Sequence, residues 1–441
     1  MDSDHALSLW LLRCRLRLED YLRTRRTSHL RNVGRLVSGF LTGGMCLIDA
    51  CADYLMSSFS TADADKRANS HVLRLGLTTA KRYRGLKDAT SDAPIILNRT
   101  IVLKKPTGES ERGVLLILFE AELMKLVRSR FFPEIEERYQ IVFLPTWQPF
   151  FSSAVLLLAA TASRDFFLMP SGFWEGDLCR QLSPRCHPLP FHAASWVNEN
   201  LYERRPEKDI DIIMVANFNR HKRHWKLFEA LADLPRDLVV VLAGVPMGAR
   251  TRDALLREAR AFGVDDRITI HVKPSDETLA DLIPRARILC ALTHREGPYV
   301  AVAEALMAGV PVGMYENALI GTSAYINEQT GMRFSTKRTL SDEIARFLDR
   351  SSEFAPREWA RANISATRNS SLLNALLKDH ARTRREEWTT DLEPFYAVRF
   401  EFRYYRDNAE AKFAGVYEGL KESFQVGVQR PVVGHTVRAN C

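Results

Sequence analysis

No two cysteines of this sequence form a C-x-x-C pair. The seven there are, an odd number, have no histidine cluster beside them at zinc-ligand spacing. Those absences speak against a local zinc finger and against a disulfide scaffold, and they point to free thiols in a reducing compartment. Long apolar runs are missing too. The nearest, Leu36 to Phe59, carries Asp49, Asp53 and three glycines, short of the roughly 18 uncharged apolar residues of a membrane span. Met1-Asp2-Ser3-Asp4 lacks a basic n-region, and the first apolar stretch is interrupted by Arg13, Arg15 and Arg17, so no secretory signal is expected. The resulting expectation is a cytoplasmic protein. Repeats, low-complexity tracts and zinc-finger or RNA-binding signatures are also absent, and nucleic acid is not an expected partner.

What is present is ordinary globular composition, 46% apolar and 26% charged, over 441 residues, enough for two or three domains. A net charge of +8 favours anionic partners, whether nucleotide phosphates or acidic lipid surfaces. The chain divides into a helical N-terminal extension (1–93), a first α/β domain (94–205), a second α/β domain (206–352) and a C-terminal helical tail (353–441). In the extension the expected helices are Leu7–Leu22, Val33–Met56 and Val72–Leu86. The first sets Trp10, Leu11, Leu18 and Leu22 among arginines. Such a helix either lies on an anionic membrane surface, through residues 1–60, or packs on the body of the protein with its arginines solvated.

From Gly113 onward short apolar runs alternate with helical segments, the pattern of a parallel sheet covered on both faces. The alternation lapses around Trp196–Lys208 and restarts more clearly. Five strands, from Asp211–Ala216 to Val310–Tyr315, and four helices make a doubly wound unit. Its ligands are expected outside the carboxyl ends of the strands.

The sharpest local feature is Glu296-Gly297-Pro298-Tyr299-Val300-Ala301-Val302-Ala303-Glu304. The first glutamate lies in a loop after a strand and the second inside the following helix. Pro298 near the first helical position leaves the first-turn amides pointing outward, a seat for a diphosphate. A carboxylate one turn in accepts hydrogen bonds from a ribose diol, and one in the loop reaches the hydroxyls of a sugar. Glu304 sits in a helix so apolar that it must face a polar cleft or be paired.

With Ala305-Leu306-Met307-Ala308-Gly309-Val310-Pro311-Val312 following it, this segment resembles the E-x7-E signature of the family-4 glycosyltransferases, which have the GT-B fold. The resemblance implies an α/β architecture of two facing Rossmann-like, doubly wound domains. It also implies a retaining transfer from a nucleoside-diphosphate sugar to a carbohydrate or lipid-linked hydroxyl acceptor, in glycan or glycolipid biosynthesis. The sugar nucleotide is then a co-substrate, and no cofactor or metal is expected. By motif position Glu304 holds the ribose and Glu296 contacts the transferred sugar. Gly297, Pro298 and Tyr299 belong to the donor-binding turn. A second match, Asn217-Phe218-Asn219-Arg220-His221-Lys222-Arg223, places Lys222 at the family's diphosphate lysine. Asn217 falls where the family has an arginine, and Arg220 or Arg223 is the candidate for that second charge. Lys273 lies in a segment placed like the family's loop that meets the nucleotide base. His294, in the loop before Glu296, is either a contact to sugar or phosphate or an exposed loop residue. The family's N-terminal Gly-Gly loop is not found. Loops at Phe119–Glu122, Trp147–Phe150 and Ser171–Trp174 are instead candidates to line an acceptor site. The departures leave a competing reading, a non-catalytic nucleotide-sugar-binding protein that kept the fold. A GT-B epimerase or phosphorylase is a third.

Overall fold

The computed structural model describes residues 3–24, 27–58, 66–84, 93–146, 150–172, 175–398 and 401–429. Trp147, Gln148, Pro149, Phe173 and Trp174, expected near an acceptor, lie outside the described residues.

Four helices open the chain: α1 (Ser3–Thr24), α2 (Thr27–Thr42), α3 (Gly44–Ser58) and α4 (Lys66–Arg84). The single helix expected over Val33–Met56 is two, because Gly43 and Gly44 take φ of 68° and 54°, a left-handed turn that glycine adopts without a Cβ clash.

The first α/β unit contains β1 (Ile95–Leu97), β2 (Thr100–Lys104), β3 (Gly113–Leu118), β4 (Tyr139–Leu144), β5 (Phe166–Leu168) and β6 (Cys186–Pro188). Its helices are α5 (Glu120–Arg128), α6 (Phe132–Arg138), α7 (Ser153–Thr161) and α8 (Gly176–Leu182). The sheet runs β2-β3-β4-β5-β6, parallel except for β2. Every residue of β3 and β4 is buried, as a strand covered on both faces requires.

The second unit holds β7 (Ile210–Val215), α9 (His224–Leu231), β8 (Val240–Gly244), α10 (Arg252–Ala261), β9 (Ile268–Val272), α11 (Asp276–Leu282), β10 (Ala286–Ala291), β11 (Arg295–Glu296), α12 (Val300–Met307), β12 (Val312–Tyr315), β13 (Leu319–Ile320), β14 (Gly331–Phe334) and α13 (Leu340–Asp349). The main sheet has six parallel strands, β14-β12-β10-β7-β8-β9, one more than expected from the sequence. The chain winds outward from β7 through β8 to β9, then returns to the other side of β7 with β10. The crevice of this doubly wound sheet therefore opens between β7 and β10.

The two units face each other across their strand carboxyl ends. Ser171, after β5, lies against Gly321, and a Cβ on Gly321 would stand 2.0 Å from the Ser171 carbonyl oxygen. The fold class expected from the sequence is thus adopted.

The chain after 352 is not only helical and does not form a tail. It contains α14 (Pro356–Ile364), α15 (Ala366–Thr383), a hairpin of β15 (Phe395–Val398) and β16 (Glu401–Tyr404), α16 (Ala409–Phe424) and β17 (Val426–Val428). From α15 on, it returns to the first unit. Leu373, Leu377, Phe395, Phe402, Phe413, Leu420 and Val426 are buried in that unit's core. Trp196 stacks on Phe395 at 4.5 Å, and β17 pairs in parallel with β1. The N-terminal helices straddle both units. α3 and α4 pack on α7, while α1 lies on α10 and buries Leu16 in the second core.

Candidate functional site

The loops that leave β7 and β10 meet at the crevice. After β7, Asn217 Oδ1 accepts from the Asn219 amide at 3.2 Å, and Asn219 accepts from His221 in turn. These Asx turns wind the chain into a short 3-10 helix, Arg220–Lys222. Asn217 therefore shapes the loop where the resemblance expects an arginine. Lys222 emerges buried at the crevice, its ammonium 3.9 Å from the centre of the Tyr299 ring and ion-paired to Glu296. Burial lowers its pKa, and the Glu296 charge opposes that shift. His221 Nε2 lies 3.8 Å from Glu296 Oε2. Two motifs 74 positions apart in sequence are thus one cluster.

Tyr299 is the N-cap of α12 and is itself buried. Its hydroxyl donates to the Val215 carbonyl at 2.9 Å, tying the helix start to the end of β7. Pro298 consequently precedes the cap instead of occupying the first helical turn. The Gly297 carbonyl accepts from the Gly321 amide at 3.0 Å, which holds the turn closed. Within α12, Ala301, Val302, Ala303, Ala305, Leu306 and Met307 are buried, while Glu304 keeps partial exposure.

Arg220 and Arg223 are both engaged by α1, and Arg223 Nη1 also donates to the Leu292 carbonyl just past β10 at 3.4 Å. Arg220 pairs with Glu19 and Arg223 Nη2 with Asp20 Oδ2 at 2.7 Å, both carboxylates coming from α1. Arg17 of the same helix reaches Glu229 at 2.8 Å. A recess lined by Leu16, Glu19, Asp20, Arg220, Trp225 and Arg250 marks the junction. The two arginines considered as the second phosphate charge therefore hold the N-terminal helix in this structure. Lys273, exposed and left-handed at φ 49°, stands just past β9. His294 is half-buried 5.5 Å from the Tyr315 ring, and its pKa is pushed down to about 4, first by burial and then by the Arg223 charge.

Glu175 was not singled out from the sequence. It lies after β5 on the facing unit, buried, with Oε2 accepting from the Gly172 amide at 3.2 Å. Its Oε1 has no hydrogen-bond partner among the described residues. Burial raises its pKa to about 8, against the Gly172 and Ser171 amides and the charge of Arg295, the residue before Glu296. Arg295 also donates to the Met56 carbonyl of α3 at 2.6 Å, so the extension reaches this loop as well. A raised carboxyl gives stability that is full below its unfolded pKa and is lost as pH climbs through the folded value. Glu175→Gln should remove that slope and be more stable than the parent by about 3 kcal/mol near pH 9. Urea midpoints at pH 6 and pH 9 check it. An unchanged pH slope in the variant would refute the buried placement.

With this geometry in hand, comparison with known proteins places the second unit. Residues 202–363 match the family model of the glycosyl transferases group 1. The matched span covers little more than a third of the chain and contains both the Lys222 loop and the Glu296–Glu304 helix. No curated protein matches the chain in sequence. Similar solved structures include a sucrose-phosphate synthase from Thermosynechococcus elongatus, 15% identical, covering 72% of this chain and 80% of that one with a TM-score of 0.48. The HepE protein of Anabaena, solved in complex with UDP, is 13% identical over 70% of this chain and 82% of its own, also at 0.48. A glycosyltransferase from Rickettsia africae is 14% identical over 60% and 83%, at 0.45. With identities and scores this low, none of them assigns a role to a residue here.

Proposed function

We propose that the chain is a retaining glycosyltransferase that moves a sugar, a hexose in the first instance, from a nucleoside diphosphate to a hydroxyl acceptor in glycan or glycolipid synthesis. The observation that carries this reading is the meeting of Lys222 and Glu296 at the crevice between β7 and β10, beside the start of α12. Before a donor arrives, Lys222 and Glu296 neutralise each other. An arriving diphosphate takes over Lys222 and the first-turn amides of α12, which frees Glu296 for the hydroxyls of the sugar. Glu304, one turn further, takes the ribose diol. As the diphosphate departs, the buried ammonium stabilises the charge that develops on it. The sugar nucleotide is a co-substrate, and the reading invokes no metal. Incubation with a panel of nucleoside-diphosphate sugars should release nucleoside diphosphate only when a suitable acceptor is present. Glu304→Ala should weaken nucleotide binding by calorimetry about tenfold or more. Unchanged affinity would remove the ribose assignment.

A specific observation favours the second reading, a nucleotide-sugar-binding protein without turnover. Asn217 replaces one cation, and Arg220 and Arg223 are engaged by α1. Binding of donor without release of nucleoside diphosphate under any acceptor would select it.

Among the described residues no helix is long and apolar enough to cross a membrane. α1 nonetheless exposes Leu7, Trp10, Leu11 and Leu18, and α2 exposes Val33, Val37, Phe40 and Leu41, at helical spacing. These ridges, in a basic segment, support peripheral contact with anionic lipid at an inner membrane face. Full-length chain should co-sediment with anionic vesicles and a chain starting near Pro94 should not. Equal sedimentation would exclude the contact.

A further inference from the structure

We infer that Asp165, His187 and His380 form a binding site for a divalent transition-metal ion of the zinc type, which fastens the C-terminal segment to the first unit. Asp165 immediately precedes β5, His187 lies in β6, and His380 lies on α15. One ligand atom from each comes within 4.8 Å of the others. His187 Nε2 is 3.4 Å from Asp165 Oδ1, and His380 Nε2 is 3.1 Å from Oδ2. The imidazoles meet edge-on with ring centres 4.5 Å apart. Tetrahedral zinc, with ligands at about 2.0–2.1 Å, needs its ligand atoms roughly 3.3 Å apart, so small side-chain shifts close the site.

The chemistry of the set suits such an ion. Two imidazoles and one carboxylate are borderline ligands that favour zinc over magnesium or calcium. The Asp165 and His380 side chains are only 10% and 15% exposed, and the ring of Phe167 packs against both histidines. His187 Nε2 is buried, and its contact with Asp165 is too long for a good hydrogen bond, which leaves a ring nitrogen aimed at the carboxylate without a proper partner.

One feature opposes the ion. Arg384 Nη2 lies 2.8 Å from Asp165 Oδ2. Its side chain is 53% exposed, so solvent screens much of its charge. The cluster lies at the amino ends of β5 and β6, whereas Ser171 and Glu175 leave β5 at its carboxyl end. The ion is therefore a fastener, remote from the donor crevice, and this inference stands apart from the transferase reading.

The test uses full-length chain, stripped with a chelator and titrated with zinc chloride by calorimetry and with cobalt chloride by visible absorption. One equivalent should bind, cobalt should show tetrahedral absorption bands, and zinc should raise the melting midpoint by about 3 °C or more. Asp165→Asn and the His187→Gln/His380→Gln pair should each weaken binding at least about tenfold. Arg384→Gln, at an exposed position that tolerates change, should fold normally and bind more tightly. Wild-type chain that binds no zinc, or a double-histidine variant that binds as well as wild type, overturns the site. So does Arg384→Gln chain that folds and shows no zinc affinity.

Discussion

Glu296→Ala is expected to lose about 3 kcal/mol of folding stability in addition to any activity. The reason is what it leaves behind. The Lys222 side chain is 5% exposed, rests on the Tyr299 ring and has Glu296 as its ion-pair partner. Without that carboxylate a desolvated ammonium remains in the crevice and must either draw in water or give up its proton. Lys222→Met removes the charge and fills similar volume, so the double variant Lys222→Met/Glu296→Ala should recover most of the loss. That non-additivity is the signature of a coupled buried pair. Urea unfolding of the four proteins reads it directly. Additive costs would mean that the two groups are solvated separately, and the exchange in which a diphosphate displaces Glu296 from Lys222 would lose its basis.

The second large effect is expected at Gly321. Alanine there would place a methyl group 2.0 Å from the Ser171 carbonyl oxygen and 3.1 Å from Pro298 Cα. Both obstacles are backbone, one in each unit, and neither has a rotamer to change. The substitution should cost about 3 kcal/mol, or else spread the units apart. A larger radius of gyration in solution scattering, together with loss of any donor-dependent turnover, reports the second outcome. Gly415→Ala is the control, since nothing lies within 4 Å of its added methyl on α16; it should be neutral or stabilise by about 1 kcal/mol. Equal behaviour of the two variants would mean that the units do not approach as closely as the Ser171–Gly321 contact requires.

The donor side of the site was legible because its signals are local. The apolar strands announce themselves as buried runs, and Glu304 stands out against the apolar helix that carries it. Ser275, just before Asp276 and Glu277, caps α11 and accepts from the Thr278 amide at 3.1 Å. What the sequence hid depends on long-range placement. Phe395–Val398 is a short apolar run and Glu401–Tyr404 alternates, as strands do, yet nothing local says that their hairpin covers the first unit. Short α6 carries one local signal, Pro133 in its first turn. β14 is only four residues long and has no period to read. Glu175 resembles any loop acid until burial raises its pKa. The partners of Arg220 and Arg223 lie some 200 positions away in α1, so their charges looked free when they were not. Asp165, His187 and His380 likewise share no spacing that a motif would record.

The pairing of β1 with β17 has a consequence for synthesis. A ribosome delivers the second unit, with its own complete core, before it delivers the residues that finish the first. The first-made half must therefore wait, with the surfaces later covered by Phe395, Phe413 and Val426 open to solvent, while the later-made half is already able to close. The strand that opens the first unit is thus paired with one of the last strands to be made.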